Sequence, residues 1–376
     1  MISNPFKFGK EVSGDQFYDR EDAFGKLYRK LAGGSCNVVM YAPRRYGKTS
    51  LVKKVFAHLE DKGIPTVSID LNRVANIEKF CEQYALALCR LAGKGHTIAN
   101  RISTYLSHLN PTFSFGGEIV LSVKLGYGAK MNESSISSVL DLAEKIAAEV
   151  VGGPIAVAFD EFQEIERLSP DLPLEGIFRS CIQAHQDVRY VFLGSKTHML
   201  KRMFGEKSRP FYKSAATMRL EKPPEDESLT FVRSRFASRS IGIDDAASRR
   251  IVSETENVPY YLQELSSQVF DAVVAAGRDW VEDADIDAGI AGLMSENADY
   301  YVEKLSTLSC MQRLLVAALA AEPVREFTED YRARYSLGGS STVHTALKAL
   351  VEKGIVESEP DGYFIGDPFF ARYVRS

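Results

Sequence analysis

The stretch YAPRRYGKTSL, Tyr41 to Leu51, constrains this chain more than any other feature. It continues an apolar, β-branched run from Asn37 to Tyr41 that reads as a buried strand. It precedes Leu51, Val52, Val55, Phe56 and Leu59, spaced as one face of a helix that Gly63 ends. A strand, a tight turn and a helix in this order aim consecutive backbone N–H groups and a helix N-terminus at an anion. The pattern is G-x-x-x-x-G-K-[ST], a Walker A-type phosphate loop, except that Ala42 stands in place of the first glycine. Pro43 pushes Ala42 towards extended backbone, which alanine adopts freely, so the substitution is expected to be harmless. The expected nucleotide-binding residues are Ala42, Pro43, Arg44, Arg45, Tyr46, Gly47, Lys48, Thr49 and Ser50, with Lys48 reaching the outer phosphates and Thr49 placing its hydroxyl on magnesium.

The surrounding pattern supplies the frame for such a loop. Short apolar runs at Asn37–Tyr41, Pro65–Leu71, Pro154–Phe159, Val188–Gly194 and Ala216–Leu220 alternate with amphipathic helical patterns. That alternation predicts an α/β core, a mainly parallel sheet with helices on both faces. Residues 92–138 break the rhythm: PTFSFGGEIVLSVKLGYG alternates about Gly116-Gly117 and reads as an inserted hairpin. From Pro223 onward strands give way to helices, expected at Asp226–Ser238, Asp244–Glu254, Pro259–Ala276 and Ala284–Asn297. From Tyr300 the order is helix, helix, helix and two short strands around a Pro-Asp-Gly turn, which is the order of a winged helix. The expected organisation is a core at 1–222, a helical lid domain at 223–297 and a winged-helix domain at 298–376, consistent with a length of 376 residues.

A second motif supports the first. PIAVAFDEFQEI is an apolar strand ending in Asp160-Glu161, and carboxylates at the carboxyl end of a buried strand require a cation or hydrogen-bond donors. Asp160 is expected to hold magnesium through its water shell, as in a Walker B strand, and Glu161 to polarise or deprotonate the attacking water. The neighbouring run VRYVFLGSK ends at Ser195, which is expected either to sense the γ-phosphate or the attacking water, or to cap the helix that follows. Lys196–Lys213 carries six cations against Glu206 alone. This reads either as a solvated basic face or as the source of a cation for the phosphates, with Arg209 the candidate.

Together NPFKFGKEVSGDQFYDRE, YAPRRYGKTSL, AFDEFQEI, FRSCIQAHQDVRYVFLGSK, RPFYKSA, TENVPYYLQEL and GYFIGDPFFARYVR resemble the archaeal-type ATPases of the STAND branch of P-loop NTPases, relatives of AAA+ proteins. The resemblance covers essentially the whole chain and implies ATP as the nucleotide. It also implies that Phe17 and Pro259 lie near the adenine, although turn and core packing are alternative readings for both. Asn257 stands where the family's Gly-x-Pro motif has glycine, and Lys213-Ser214 stands where the family often has an arginine.

These expectations add up to an ATPase that binds Mg-ATP, turns over slowly and acts as a nucleotide-gated regulatory switch with an unknown protein partner. The alternative is a DNA-binding protein gripping duplex through its winged helix under ATP control. Charge weighs against duplex: Phe327–Ser376 holds Arg332, Arg334, Lys348, Lys353, Arg372 and Arg375 against seven acids, and the whole chain carries a net charge of -4. Cys36, Cys81, Cys89, Cys181 and Cys310 form no C-x-x-C pair, so neither a disulfide framework nor a zinc site is expected. The longest apolar run, Leu314 to Ala321, is far too short to span a bilayer, and a cytoplasmic protein without membrane contact is expected.

Overall fold

The computed structural model describes residues 3–9, 20–34, 36–91, 102–107, 112–115, 121–124, 131–359 and 362–376. The chain divides into two compact units: Met1–Arg20 with Pro43–Gly47 and Glu221–Ser376, and Glu21–Ala42 with Lys48–Leu220.

Among the described residues the second unit contains seven strands, β1 (Val38–Tyr41), β2 (Thr66–Asp70), β3 (Thr112–Phe115), β4 (Leu121–Lys124), β5 (Ile155–Asp160), β6 (Val188–Gly194) and β7 (Ala216–Arg219). Five form one sheet in the order β2-β5-β6-β1-β7, with every neighbouring pair parallel. Each of these five matches its expected span to within one residue at either end. All six residues of β5 are buried, as befits a strand covered on both faces. Phe159 packs there against Phe80, Tyr84, Phe178, Tyr190 and Phe192. Because the chain leaves β1 for β2 at the far edge, the carboxyl ends of β1, β6 and β5 lie side by side, where open α/β sheets collect ligands.

The helix Lys48–Asp61 follows β1 and closes on Gly63, whose φ of 80° allows Ile64 N–H to reach Leu59 O. The hairpin pairs β3 antiparallel to β4, setting Phe113 opposite Val123 and Phe115 opposite Leu121. Its Gly116-Gly117 turn lies outside the described residues. Residues 133–138, which the sequence pattern assigns to the insertion, instead open the helix Glu133–Ile146. Asn132 caps that helix by accepting from Ser135 N–H, a signal that the alternating pattern obscured.

In the first unit the helices Glu225–Ala237, Asp245–Glu254, Pro259–Ala275 and Asp283–Glu296 each match expectation to within one residue at either end. They are followed by the helices Ala298–Ser306, Cys310–Ala321, Glu329–Arg334 and Ser340–Glu352, and by the antiparallel pair β8 (Val356–Glu359) and β9 (Gly362–Ile365). Pro360 and Asp361 of the expected turn lie outside the described residues. Val324 bridges Tyr363, and a Cβ on Gly362 would meet Val324 O at 2.5 Å, so only glycine fits that approach. A final helix, Pro368–Arg375, buries Phe369 and Phe370. Sequence reading missed it, although Asp367 before Pro368 is a standard start signal and caps it by accepting from both phenylalanine N–H groups.

Candidate nucleotide site

Ala42 is fully buried and takes no positive φ; the left-handed conformations fall on Arg45, at 71°, and Gly47, at 81°. The loop therefore uses its second glycine where one is needed and alanine where extended backbone suffices. Pro43, Tyr46 and Ser50 are buried, while Arg44 is exposed. Lys48 opens the helix after the loop, is 6% exposed, and donates from Nζ to Ala42 O at 2.8 Å. One turn of backbone thus holds a buried ammonium at the loop's own mouth. Beside it, Thr49 Oγ1 donates to Asp160 Oδ2 at 2.6 Å, joining the loop helix to the end of β5.

The two acids after Phe159 differ in environment. Burial raises the Asp160 carboxyl above its ordinary pKa, and the Glu161 charge adds to this against the opposing Thr49 hydrogen bond and Lys48 charge. For Glu161, burial pushes in the same direction but is outweighed by a Gln163 hydrogen bond, the Lys48 charge and donors from Ser195, so its pKa lies below the ordinary value. The geometry explains this: Glu161 Oε2 accepts from Ser195 Oγ at 2.8 Å, from Ser195 N–H at 3.1 Å and from Gln163 Nε2. Glu161 itself sits at φ 51°, a left-handed conformation uncommon outside glycine and a form of local strain that concentrates at functional sites.

Gln163 and Gly194 are site residues that sequence reasoning missed. Gln163 is 3% exposed, and its Oε1 has no hydrogen-bond partner. It rests on Gly194, where an added Cβ would lie 2.1 Å from that oxygen. The available signal was a glycine ending the otherwise bulky strand β6, beside a glutamine two residues after the acid.

The remaining predicted residues are distributed as follows. Arg209, the candidate cation for the phosphates, has its guanidinium engaged by Glu166 and Glu175. Pro259 opens the helix Pro259–Ala275 as its first residue. Asn257 before it adopts φ 56°, which explains a glycine preference there. Its side chain also accepts from Ser228 Oγ at 2.6 Å and donates to Pro223 O at 2.7 Å. Phe17 lies outside the described residues. Within the first unit, the loop residue Arg45 packs its guanidinium over the rings of Tyr260 and Tyr261, at 4.6 and 4.7 Å, hydrogen-bonds Tyr261 and pairs with Asp367 at 3.4 Å.

A parallel sheet in this order, with Lys48, Thr49 and two acids converging at its carboxyl edge, defines a P-loop nucleotide-binding fold. The chain belongs to the family described as "ATPase domain predominantly from Archaea", whose model matches residues 17–265, and residues 299–376 match a "Probable winged helix domain". In structure it is similar to the Walker-type ATPase paby2304 of Pyrococcus abyssi, at TM-score 0.68 and 16% identity over 99% of this chain and 100% of that one. It is also similar to the ORC2 protein of Aeropyrum pernix in its ADPNP–ADP complexes, at TM-score 0.56 and 16% identity over 94% and 91% of the two chains. The ORC1 protein of the same organism, in complex with DNA, aligns at TM-score 0.51 and 13% identity over 96% and 93%. At these identities the likeness is one of fold. No curated protein matches the chain in sequence. No helix among the described residues is long and apolar enough to cross a membrane.

Proposed function

We propose that the protein binds Mg-ATP, hydrolyses it slowly and acts as a nucleotide-gated regulatory switch of the STAND branch, with a core at 1–222, a helical lid at 223–297 and a winged helix at 298–376. The observation that carries this reading is the placement of Glu161, strained and hydrogen-bonded by Ser195 and Gln163 beside the Thr49–Asp160 pair. Lys48 and the loop amides from Ala42 to Ser50 bind the phosphates. Thr49 and Asp160 present a hydroxyl and a carboxylate, an oxygen-only donor set that suits a hard cation, and they hold magnesium. When bound, that ion neutralises charge on the phosphates. Glu161 orients the attacking water, and Ser195 links this acid to the end of β6, where it senses the γ-phosphate. Pro259 and Phe17 take the adenine side.

The acid's surroundings support a slow turnover. Three donors on one oxygen, together with Lys48, stabilise the ionised carboxylate and so weaken it as a base until those contacts rearrange. The switch reading is supported by Arg45, a loop residue in the same compact unit as Tyr260, Tyr261 and Asp367. A loop that must release or keep that cluster when phosphate arrives couples nucleotide state to the lid and winged helix. The test pairs ATP-binding titration with phosphate release for the Lys48→Ala and Glu161→Gln proteins. Lys48→Ala is expected to lose ATP binding, and Glu161→Gln to keep ATP without cleaving it. Equal ATP affinity in wild type and Lys48→Ala would overturn the assignment.

The alternative, duplex binding under ATP control, draws on the winged-helix match and on the likeness to an ORC1 protein solved with DNA. The net acidity of the C-terminal domain opposes it. A salt-sensitive shift of duplex DNA by the full chain would favour it.

A further inference from the structure

At the opposite end of the same sheet, where β1 and β6 begin, lies a pocket of about 340 Å³ within the second unit. Its polar lining includes Arg179, Arg189, Lys213, Asn37, Gln183 and Ser214. The seven residues of β6 put it about 20 Å from Ser195, so it is separate from the nucleotide site. Three cations from three elements converge here: Arg179 from the helix Leu174–Ala184, Arg189 from β6, and Lys213 from the turn before β7. Among the described residues none of the three has a carboxylate partner. Two of the nearby acids are otherwise engaged, Asp141 with His185 Nε2 at 3.0 Å and Glu144 with the backbone N–H groups of Gln186 and Asp187, and Asp187 pairs with none of the three cations.

One cation would complement the carbonyl end of the helix Leu174–Ala184; three exceed that need. Arg179 donates from Nη1 to the Gln183 carboxamide and Arg189 from Nη1 to Gln186 O, yet desolvation adds to the imbalance, because the Nε of each is buried without a hydrogen-bond partner. The backbone is also shaped around these groups. Gly34, at φ 64°, lets the Arg189 guanidinium lie where a Cβ would come within 2.4 Å of Nη2, and Lys213 is held at φ 54°, a left-handed conformation uncommon for lysine.

We propose that this pocket is a binding site for a small phosphate-bearing anion, held by the guanidinium forks of Arg179 and Arg189 and by the Lys213 ammonium. Forked donors match phosphate oxygens two at a time, and the amino groups of Asn37 and Gln183, whose carbonyl oxygens accept from Tyr190 N–H and Arg179, complete a polar cradle. The volume suits a free ligand of pyrophosphate or sugar-phosphate size. A nucleic-acid backbone would instead require a line of cations along several phosphates.

The test is calorimetric titration of inorganic pyrophosphate into the full-length Lys48→Ala protein, which isolates the pocket from the phosphate loop. One-to-one saturable binding is expected, weakened at least about tenfold by Arg189→Gln combined with Lys213→Gln. Circular dichroism and thermal melting establish that the variants are folded, and Arg189→Lys should recover part of the loss. No saturable binding at millimolar pyrophosphate would overturn the proposal. So would binding indifferent to the pocket substitutions, equal binding of citrate, or displacement of pyrophosphate by duplex DNA at lower phosphate concentration.

Discussion

The two ends of the central sheet hold their charges in opposite ways. At the carboxyl end, Lys48, Thr49, Asp160, Glu161 and Ser195 are hydrogen-bonded to one another or to backbone. At the amino end, Arg179, Arg189 and Lys213 gather without a carboxylate among the described residues. On the proposed function, the bonds of a satisfied cluster open for chemistry to proceed; an uncompensated cluster gains stability when an anion enters. Three substitutions test the first arrangement and its neighbourhood, and a fourth tests the second.

The largest effect is expected at Glu161. Glu161→Gln keeps the size and the hydrogen-bond acceptor but removes the carboxylate proposed to act on the attacking water, and phosphate release should fall about 10²- to 10⁴-fold while ATP affinity changes little. Single-turnover phosphate release alongside ATP titration separates the two quantities. Release unchanged by this substitution would show that the cluster at the carboxyl end has another use.

Next comes Arg209, a cation with partners. Replacing it with glutamine leaves Glu175, whose side chain is 8% exposed, beside Glu166, and should destabilise the fold by about 1–3 kcal/mol near neutral pH. The loss should depend on pH. Burial, with the Glu166 hydrogen bond, pushes Glu175 up to about 7 in the folded protein, so its contribution is fully present below the unfolded value near 4.5 and fades as pH rises towards 7. Without Arg209 the folded value climbs further, and the penalty should be larger at pH 8 than at pH 5 by urea unfolding. A loss independent of pH would mean that Arg209 acts through packing alone.

A smaller effect is expected from Gln163→Leu, which removes one donor from Glu161. Glu161 loses part of what holds its pKa down, so the acid limb of the rate profile should move to higher pH, with less than about a tenfold change in release at neutral pH. A merely structural role for Gln163 would lower stability without moving that limb.

How much of this was legible from residues alone differs between the two ends. The strand spans and the loop follow from short-range rules: apolar runs bounded by Gly, Pro or charge, and a motif whose spacing is local. The Thr49–Asp160 and Glu161–Ser195 pairs could be anticipated because each residue ends or follows a strand of the same sheet. Gln163 over Gly194 depends on two strands being neighbours, and the pocket at the amino end depends on a helix, a strand and a turn meeting. The basic run Lys196–Lys213 is contiguous in sequence, but in the structure its members part: Arg209 turns to Glu166 and Glu175, while Lys213 joins Arg179 and Arg189. Charge clustering along a chain does not say which charges share a site. Asp367 likewise could be read as a helix cap, but not as a partner of Arg45, 322 positions away in the chain.

The smallest effect is also the sharpest contrast. Arg189→Gln removes a guanidinium that has no carboxylate partner, whose buried Nε is unpaired and whose Nη1 donates to Gln186 O, so in ligand-free protein the unfolding free energy should fall by no more than about 1 kcal/mol. Arg209→Gln, by comparison, strips two carboxylates of their cation. The same chemical change at two arginines of one compact unit thus separates a cation that holds the fold from one that awaits an anion. In the Lys48→Ala background, which silences the phosphate loop, adding pyrophosphate should then raise the melting temperature and do so markedly less once Arg189→Gln is added, since only a ligand bound to the folded state stabilises it. If Arg189→Gln instead costs as much as Arg209→Gln without ligand, Arg189 is compensated within the fold, and the contrast between the two ends of the sheet disappears.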